Sequence, residues 1–397
     1  MSNNDRPRRI PLYPTFSRGA ASVSIRRGRH SWPGVLDTGK VQWTLNARSA
    51  LQIGFQVMDL RPGDEVLVPA YHCPVMIYPI VEAGLQPVYF RIKEDCTVDL
   101  DDLKAKLTER TRAVVVIHYF GFPTPMQELR TLCNLRDLYL VEDCAHAFFG
   151  AWKSQKIGVL GDVTIASLYK FFPVYDGGAI RFGNRALLNR VGRHPHARLF
   201  FQLKSMLNTL EVRSNPNDPG GGIRFFLQLK DWLWGMIKKQ PVQPVRQVGV
   251  SSESSSDSPF TPDIIAGTYS TRRMPLFSSL VYRFTSRREL VRRRRENYTY
   301  LLGKLEGLGL KPLFSELPEG VVPYNLALVS EQASGLADLL RSHGVSIARF
   351  GEYYWDEGDR GSCEVANRYS RNCFQIPIHQ SLTREDMDYI ASILANR

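Results

Sequence analysis

Along residues 44–185 the apolar positions switch repeatedly between a helical spacing and short continuous runs. Leu51, Phe55 and Met58 fall on one side of a helix expected over 49–60, which Arg61-Pro62-Gly63-Asp64 stops. The run Glu65-Val66-Leu67-Val68 then reads as a short buried strand. The cycle repeats as helix 75–83 closed by Gly84, strand 87–90, helix 99–107, strand 113–117, helix 126–135 and strand 138–141. Strands separated by helices of this size form βαβ units. The predicted fold is therefore α/β, a three-layer αβα arrangement around a mostly parallel sheet. Ligands bind such sheets beyond the carboxyl ends of the strands. Pro69-Ala70-Tyr71-His72, His118-Tyr119-Phe120-Gly121 and Asp143 to His146 all fall at such ends and point to one pocket.

From 186 to 262 the periodicity weakens. Residues 215–222 read as a Pro/Gly loop and 251–259 as a serine-rich linker. Between them 223–239 is amphipathic, with Phe225, Phe226, Leu229, Trp232, Leu233 and Ile237 on its apolar side. Packing on the body or on a partner subunit is the favoured reading of that face; peripheral membrane contact is the alternative. From 285 a helix carrying the arginine run 292–295 leads into Leu301-Leu302-Gly303-Lys304-Leu305. Strands 325–329 and 374–377 and helices 333–343 and 384–395 complete a smaller α+β C-terminal domain. The expected organisation is an N-terminal arm over 1–40, a large domain over 41–280 with an insert at 190–262, and a small domain over 281–397.

The 397 residues suffice for two domains at roughly 100–200 residues each. The net charge of +12 favours anionic partners such as phosphorylated metabolites. The arginine run continues into Glu296-Asn297-Tyr298 and a leucine pattern, so it reads as a solvated helix face, and no nucleic-acid partner is expected. The six cysteines are scattered without a CxxC pair, so neither a metal site nor a disulfide framework is expected. That usage fits a reducing cytoplasm. The polar start of the chain lacks an apolar signal core, and no run approaches the ~18 apolar residues of a membrane span.

The candidate chemistry centres on Lys170, in Ser167-Leu168-Tyr169-Lys170-Phe171-Phe172-Pro173-Val174-Tyr175-Asp176-Gly177-Gly178. Upstream, the strand 138–141 ends in Glu142-Asp143-Cys144-Ala145-His146-Ala147. A lysine before a glycine-paired turn, with an acid at a strand end, is what a pyridoxal phosphate site needs. The lysine holds the cofactor covalently, and the acid keeps its pyridine nitrogen protonated so that the ring acts as an electron sink.

At these residues the chain resembles the DegT/DnrJ/EryC1/StrS aminotransferases. Asn46-Ala47-Arg48-Ser49-Ala50-Leu51 resembles the family's Ser-Gly-Thr-Ala-Ala-Leu. Residues 62–69, Pro-Gly-Asp-Glu-Val-Leu-Val-Pro, resemble its Pro-Gly-Asp-Glu-Val-Ile-Val-Pro. Glu142-Asp143-Cys144-Ala145-His146-Ala147 resembles Glu-Asp-Ala-Ala-Gln/His-Ala, and Gly161-Asp162 precedes the lysine segment as it does there. Ile376-Pro377-Ile378-His379-Gln380-Ser381-Leu382-Thr383 resembles a Pro-x-His-x-x-Leu turn. The shared order and spacing of these motifs carry the resemblance, over about 40–185 and more loosely over 265–397.

The resemblance implies the fold of the aspartate aminotransferase-like, fold-type-I enzymes and a pyridoxal 5'-phosphate cofactor. It implies roles residue by residue: Lys170 as the cofactor-bearing base, Asp143 on the pyridine nitrogen, and His146 over the cofactor's phenolic oxygen. The amides of Arg48, Ser49 and Ala50 would hold the phosphate at a helix N-terminus, Ser167 would add a phosphate contact, and Tyr71 or His72 would stack on the ring. The chain departs from the family in four places, the first being Arg48, which stands where a threonine is common. The step from Ser167 to Lys170 is shorter, so either the loop tightens or Ser167 leaves the phosphate. Tyr175-Asp176-Gly177-Gly178 replaces Gly-Glu-Gly-Gly. The neighbour-subunit Asn-Tyr-Arg-Met is only echoed in Thr271-Arg272-Arg273-Met274. The implied activity is transfer of an amino group from an amino acid, usually glutamate, to a keto sugar on a nucleotide carrier, by a cytoplasmic homodimer. A sugar dehydratase and a catalytically inactive binding protein are the alternatives; Lys170 opposes the first, and Lys170 with Asp143 opposes the second.

Overall fold

The computed structural model describes residues 8–16, 32–153, 155–192, 195–196, 198–214, 217, 272–353 and 363–397. The strands of its first half are β1 (Lys40–Thr44), β2 (Glu65–Pro69), β3 (Gln86–Phe90), β4 (Thr111–Ile117), β5 (Tyr139–Asp143), the short hairpin β6 (Ala151–Trp152) and β7 (Gln155–Lys156), β8 (Val163–Ser167) and β9 (Gly178–Phe182). All but the hairpin form one sheet in the order β1-β9-β8-β5-β4-β2-β3. From β3 to β8 neighbours run parallel; β9 and β1 close one edge antiparallel.

Each helix and strand expected between 49 and 141 is present with slightly shifted ends. The antiparallel edge is not legible as a pattern: β1 is largely half-buried and β9 carries a buried arginine, Arg181, next to its last residue. The sheet's two faces follow the two-residue period of its strands. Val66, Val68, Ala113, Val115, Ile117, Val141, Val163, Ile165 and Ile180 belong to the apolar cluster that holds helix α1 (Ala47–Val57) and helix α2 (Pro74–Glu82). Leu67, Val114, Val116 and Leu140 pack with Leu103 of α3 (Leu100–Ala105) and Leu129 and Cys133 of α4 (Gln127–Leu135) on the other side. This is the three-layer αβα arrangement.

Beyond β9 the described helices are α5 (Arg185–Asn189), α6 (Leu199–Val212), α7 (Leu276–Phe284) and α8 (Arg287–Leu305). A second, antiparallel sheet of β10 (Lys311–Pro312), β11 (Asn325–Val329) and β12 (Cys373–Pro377) follows, with α9 (Ala333–Ser342), α10 (Glu364–Asn372) and α11 (Arg384–Ala395). Its residues Leu326, Leu328, Phe374 and Ile376 join the same apolar cluster as α1, so the core runs from one sheet to the other. The segments 223–239 and 251–259 lie outside the described residues.

The arginine run departs from its expected solvated face. Arg292 and Arg293 do pair with Glu289, and Arg292 also with Glu296, but Arg294 is fully buried and Arg295 donates to the carbonyls of Pro318 and Val321. Successive helix positions turn by about 100°, so four in a row cannot share one face.

Candidate active site

Parallel pairing brings the carboxyl ends of β2, β4, β5 and β8 to one edge of the sheet. Strand alternation then directs Asp143 to the face of Val141, and Ser167 to the face of Val163 and Ile165, so both look toward α1. Glu142 points the opposite way. It takes hydrogen bonds from Gly158 and Gly161 amides and from His118 Nε2 at 3.1 Å, while His118 Nδ1 accepts from Thr124 N–H. The His118, Glu142 and Cys144 ligand atoms lie close enough for a metal, but the histidine and the carboxylate are already committed to these partners.

Asp143 is buried, and Ala145 N–H donates to its Oδ1 at 2.8 Å. Burial pushes its carboxyl pKa above the ordinary value, and the Ala145 bond, Lys170 and His118 oppose that rise. Lys170 is half-buried, and burial lowers its ammonium below the usual lysine range while Asp143 and Cys73 pull it back up. The two groups therefore face one another in a medium that disfavours charge on both. A lysine depressed in this way keeps more of its neutral, nucleophilic form.

The loop carrying Lys170 is fixed at several points. Phe171 and Phe172 amides both bond to Leu168 O, and Leu168 N–H bonds to Gly177 O. Phe171, Phe172 and Val174 are buried with Phe148 and Phe149. Arg294, reaching in from α8, donates to Lys170 O at 2.8 Å and Tyr324 O at 2.9 Å, and lies 4.5 Å over the Phe171 ring. Gln380 accepts from Arg294 Nε and donates to Phe171 O at 2.7 Å. The shortened step from Ser167 is thus absorbed by a tight turn. Ser167 stays at the end of β8 in register with Gly178, its Oγ buried without a hydrogen-bond partner among the described residues.

A roof of rings covers the lysine. The turn 119–121 approaches 322–324 so closely that a Cβ on Gly121 would lie 2.4 Å from Val322 O, and Tyr324 N–H bonds to Phe120 O. This sets Tyr324 with its ring 5.6 Å from Lys170 Nζ. His146 is stacked between Tyr324 at 4.8 Å and Phe120 at 5.7 Å. Burial, and then Lys170, hold its imidazole well below the usual range, so it is neutral, and its Nδ1 has no partner among the described residues.

The helix start expected to cradle phosphate is there, but its donors differ. Gly178 lets β9 press against the start of α1; a Cβ there would sit 2.1 Å from Asn46 C. Asn46 caps α1 by accepting from Ser49 N–H at 2.8 Å and Ser49 Oγ at 3.1 Å, and Ala50 N–H bonds to Asn46 O. Ser49 and Ala50 amides are thereby used within the helix.

Tyr71 and His72 do not stack at the lysine. Tyr71 is enclosed by Tyr119, Phe350 and Tyr369, and a Cβ on Gly351 would meet it at 2.7 Å. His72 lies flat on Tyr89 at 5.0 Å and contacts Pro69 O. The next residue, Cys73, is the one whose charge neighbours are Lys170, Arg48 and Asp143. Sequence reasoning missed it, along with Arg294, Gln380 and Tyr324; the position one step past His72 is the only signal that pointed toward Cys73. Lys170, Asp143, His146, Ser167 and the start of α1 do come together.

A buried acid near a depressed lysine, an unpartnered serine hydroxyl and a helix start thus lie together at the carboxyl edge of this mixed sheet. Residues 38–194 match the model of the DegT/DnrJ/EryC1/StrS aminotransferase family. Over 125 residues it is 36% identical to the GDP-perosamine synthase of Vibrio cholerae, which covers 31% of this chain and 34% of that protein. Over 146 residues it is 33% identical to the dTDP-3-amino-3,4,6-trideoxy-alpha-D-glucose transaminase of Streptomyces venezuelae, covering 36% and 38%. A dTDP-4-dehydro-2,6-dideoxy-D-glucose 3-dehydratase of Saccharopolyspora spinosa is 34% identical over 131 residues, covering 32% and 28%. The matched segment thus spans about a third of these relatives' length. The structure of Helicobacter pylori PseC, an aminotransferase involved in pseudoaminic acid biosynthesis, superposes with a TM-score of 0.68 at 15% identity over 98% of this chain and 99% of that one.

Proposed function

We propose that this protein is a pyridoxal phosphate-dependent aminotransferase that moves an amino group from an amino acid, glutamate first among the candidates, to a keto sugar carried on a nucleotide. The observation that carries the reading is Lys170 brought within charge range of buried Asp143 at the carboxyl edge of the sheet, beside unpartnered Ser167 Oγ and the start of α1. The residues fit the cofactor: Ser167 Oγ is a buried hydroxyl lacking a partner among the described residues, and Gly178 brings the α1 start beside it. When bound, the cofactor supplies an electron sink that stabilises charge on the substrate carbon.

This chain's residues do the rest. Asp143 holds the ring nitrogen protonated. Ser167 and the start of α1 would hold the phosphate. Lys170 would carry the cofactor, and its neutral amine would move the proton at the substrate carbon. Neutral His146, wedged between two rings, offers Nδ1 at the opposite wall, and the rings of Tyr324 and Phe120 exclude water. The sugar-nucleotide acceptor rests on the names of the relatives and on the basic charge of the chain. The dehydratase reading is disfavoured by a lysine at position 170, where the family's dehydratases carry histidine. A homodimer and a cytoplasmic location complete the proposal, the first testable by light scattering.

The test is a donor screen followed by an acceptor panel. Glutamate is expected to be converted to 2-oxoglutarate, and one nucleotide keto sugar of the panel to emerge as its amine by mass. A cofactor-loaded protein that deaminates none of the amino acids tried overturns the aminotransferase reading.

A further inference from the structure

A second cation stands at the mouth of this site, outside the segment that matches the family. Arg213, just past α6, is 5% exposed. Its Nε donates to Val174 O at 3.0 Å, and the groups that act on its charge among the described residues are the tyrosines Tyr13, Tyr169, Tyr324 and Tyr175. Its guanidinium lies 5.0 Å from the Tyr13 ring and 5.9 Å from the Tyr169 ring. Tyr13 and Tyr169 meet edge to face at 5.1 Å, and Tyr13 also faces the Tyr324 hydroxyl. The same Tyr169 and Tyr324 rings lie 6.0 and 5.6 Å from Lys170 Nζ. Arg213 and Lys170 therefore flank one aromatic wall.

Magnitudes say the cation is underserved. Stacking on tyrosine faces returns less than an ion loses on leaving water without a counter-charge. The N-terminal segment, whose Phe16 N–H bonds to Arg213 O, and Thr209 of α6, whose hydroxyl accepts from Tyr175 N–H, hold the region in place. Among the described residues, Nε is the donor of this guanidinium that a hydrogen bond uses, and its planar fork matches carboxylate and phosphate alike.

We propose that Arg213, set on Tyr13 and Tyr169, is the residue that recognises a negatively charged oxyacid group of the substrate. This rests on the functional reading above. The oxyanion comes either from the carboxylate of the amino donor or from the diphosphate of the sugar nucleotide.

Calorimetry on protein loaded with pyridoxal phosphate tests it, with glutarate as the carboxylate probe and UDP, GDP and dTDP as diphosphate probes, on wild type, Arg213→Gln and Arg213→Lys. The glutamine variant is expected to weaken at least one probe class by about tenfold or more, with the visible cofactor absorption retained. Arg213→Lys, which keeps the charge and loses the fork, should fall between. Loss confined to glutarate assigns the donor carboxylate, and loss confined to the diphosphates assigns the nucleotide handle. Affinities within about twofold of wild type for both classes, a wild type that binds neither class, or loss of cofactor absorption in both variants overturns the proposal. A wild type that takes up no pyridoxal phosphate fails the functional reading instead.

Discussion

Lys170 is set apart from the chain's other lysines by its surroundings. Burial lowers its ammonium and raises the Asp143 carboxyl, so the mutual attraction of the pair is outweighed on both sides by the loss of water. Asp143→Asn is expected to keep bound cofactor but to lower kcat/KM by roughly 100-fold or more, a loss of about 2.7 kcal/mol of transition-state stabilisation. Steady-state kinetics on the loaded variant check this, and unchanged kcat/KM would remove Asp143 from its role. Lys170, Asp143 and Ser167 were legible in the sequence because they sit at fixed steps from strand ends. Cys73 was not, because a one-residue ambiguity in the turn after β2 decides whether a side chain faces the pocket or the core. Arg294 and Arg213 were not legible either: each reaches the lysine loop across a gap in sequence that no local pattern spans.

At the scale of elements, two contacts hold the site's parts in register. Gly178 lets β9 lie against the start of α1, and Gly178→Ala is expected to destabilise the fold by about 1–3 kcal/mol, the usual cost of overpacking. Arg294 joins α8 to the lysine turn through the carbonyls of Lys170 and Tyr324, and burial lowers its guanidinium to about 9. Arg294→Met should cost about 3 kcal/mol or more by leaving those buried carbonyls unmet. Urea unfolding measures both, and midpoints equal to wild type would contradict them. The βαβ elements were legible because their apolar periods are unambiguous. The antiparallel edge was hidden by Arg181, a charge in a buried strand, and the roof over the lysine depends on a turn at 119–121 whose geometry follows from packing on 322–324 rather than from its residues.

The whole molecule carries buried histidines that stay neutral. His379, whose Nε2 contacts Pro11 O, is lowered to about 3 by burial, and His146 is lowered well below its ordinary value. As pH falls below 6.5 the unfolded chain takes up protons that these folded imidazoles refuse. The unfolding free energy therefore drops on acidification, by up to about 1.4 kcal/mol per pH unit for each histidine. His379→Gln, which retains a donor toward Pro11, should flatten the dependence between pH 6.5 and 4.5 in denaturant titrations; an unaltered slope would contradict the assignment.

The central claim, that Lys170 bears the cofactor of an aminotransferase, is met most directly by one spectroscopic titration. Protein supplied with pyridoxal phosphate is expected to show the visible absorption of a lysine-linked cofactor, absent in Lys170→Ala, and glutamate is expected to bleach it with stoichiometric release of 2-oxoglutarate. Absorption that persists in Lys170→Ala, or a wild type that shows none, would contradict it.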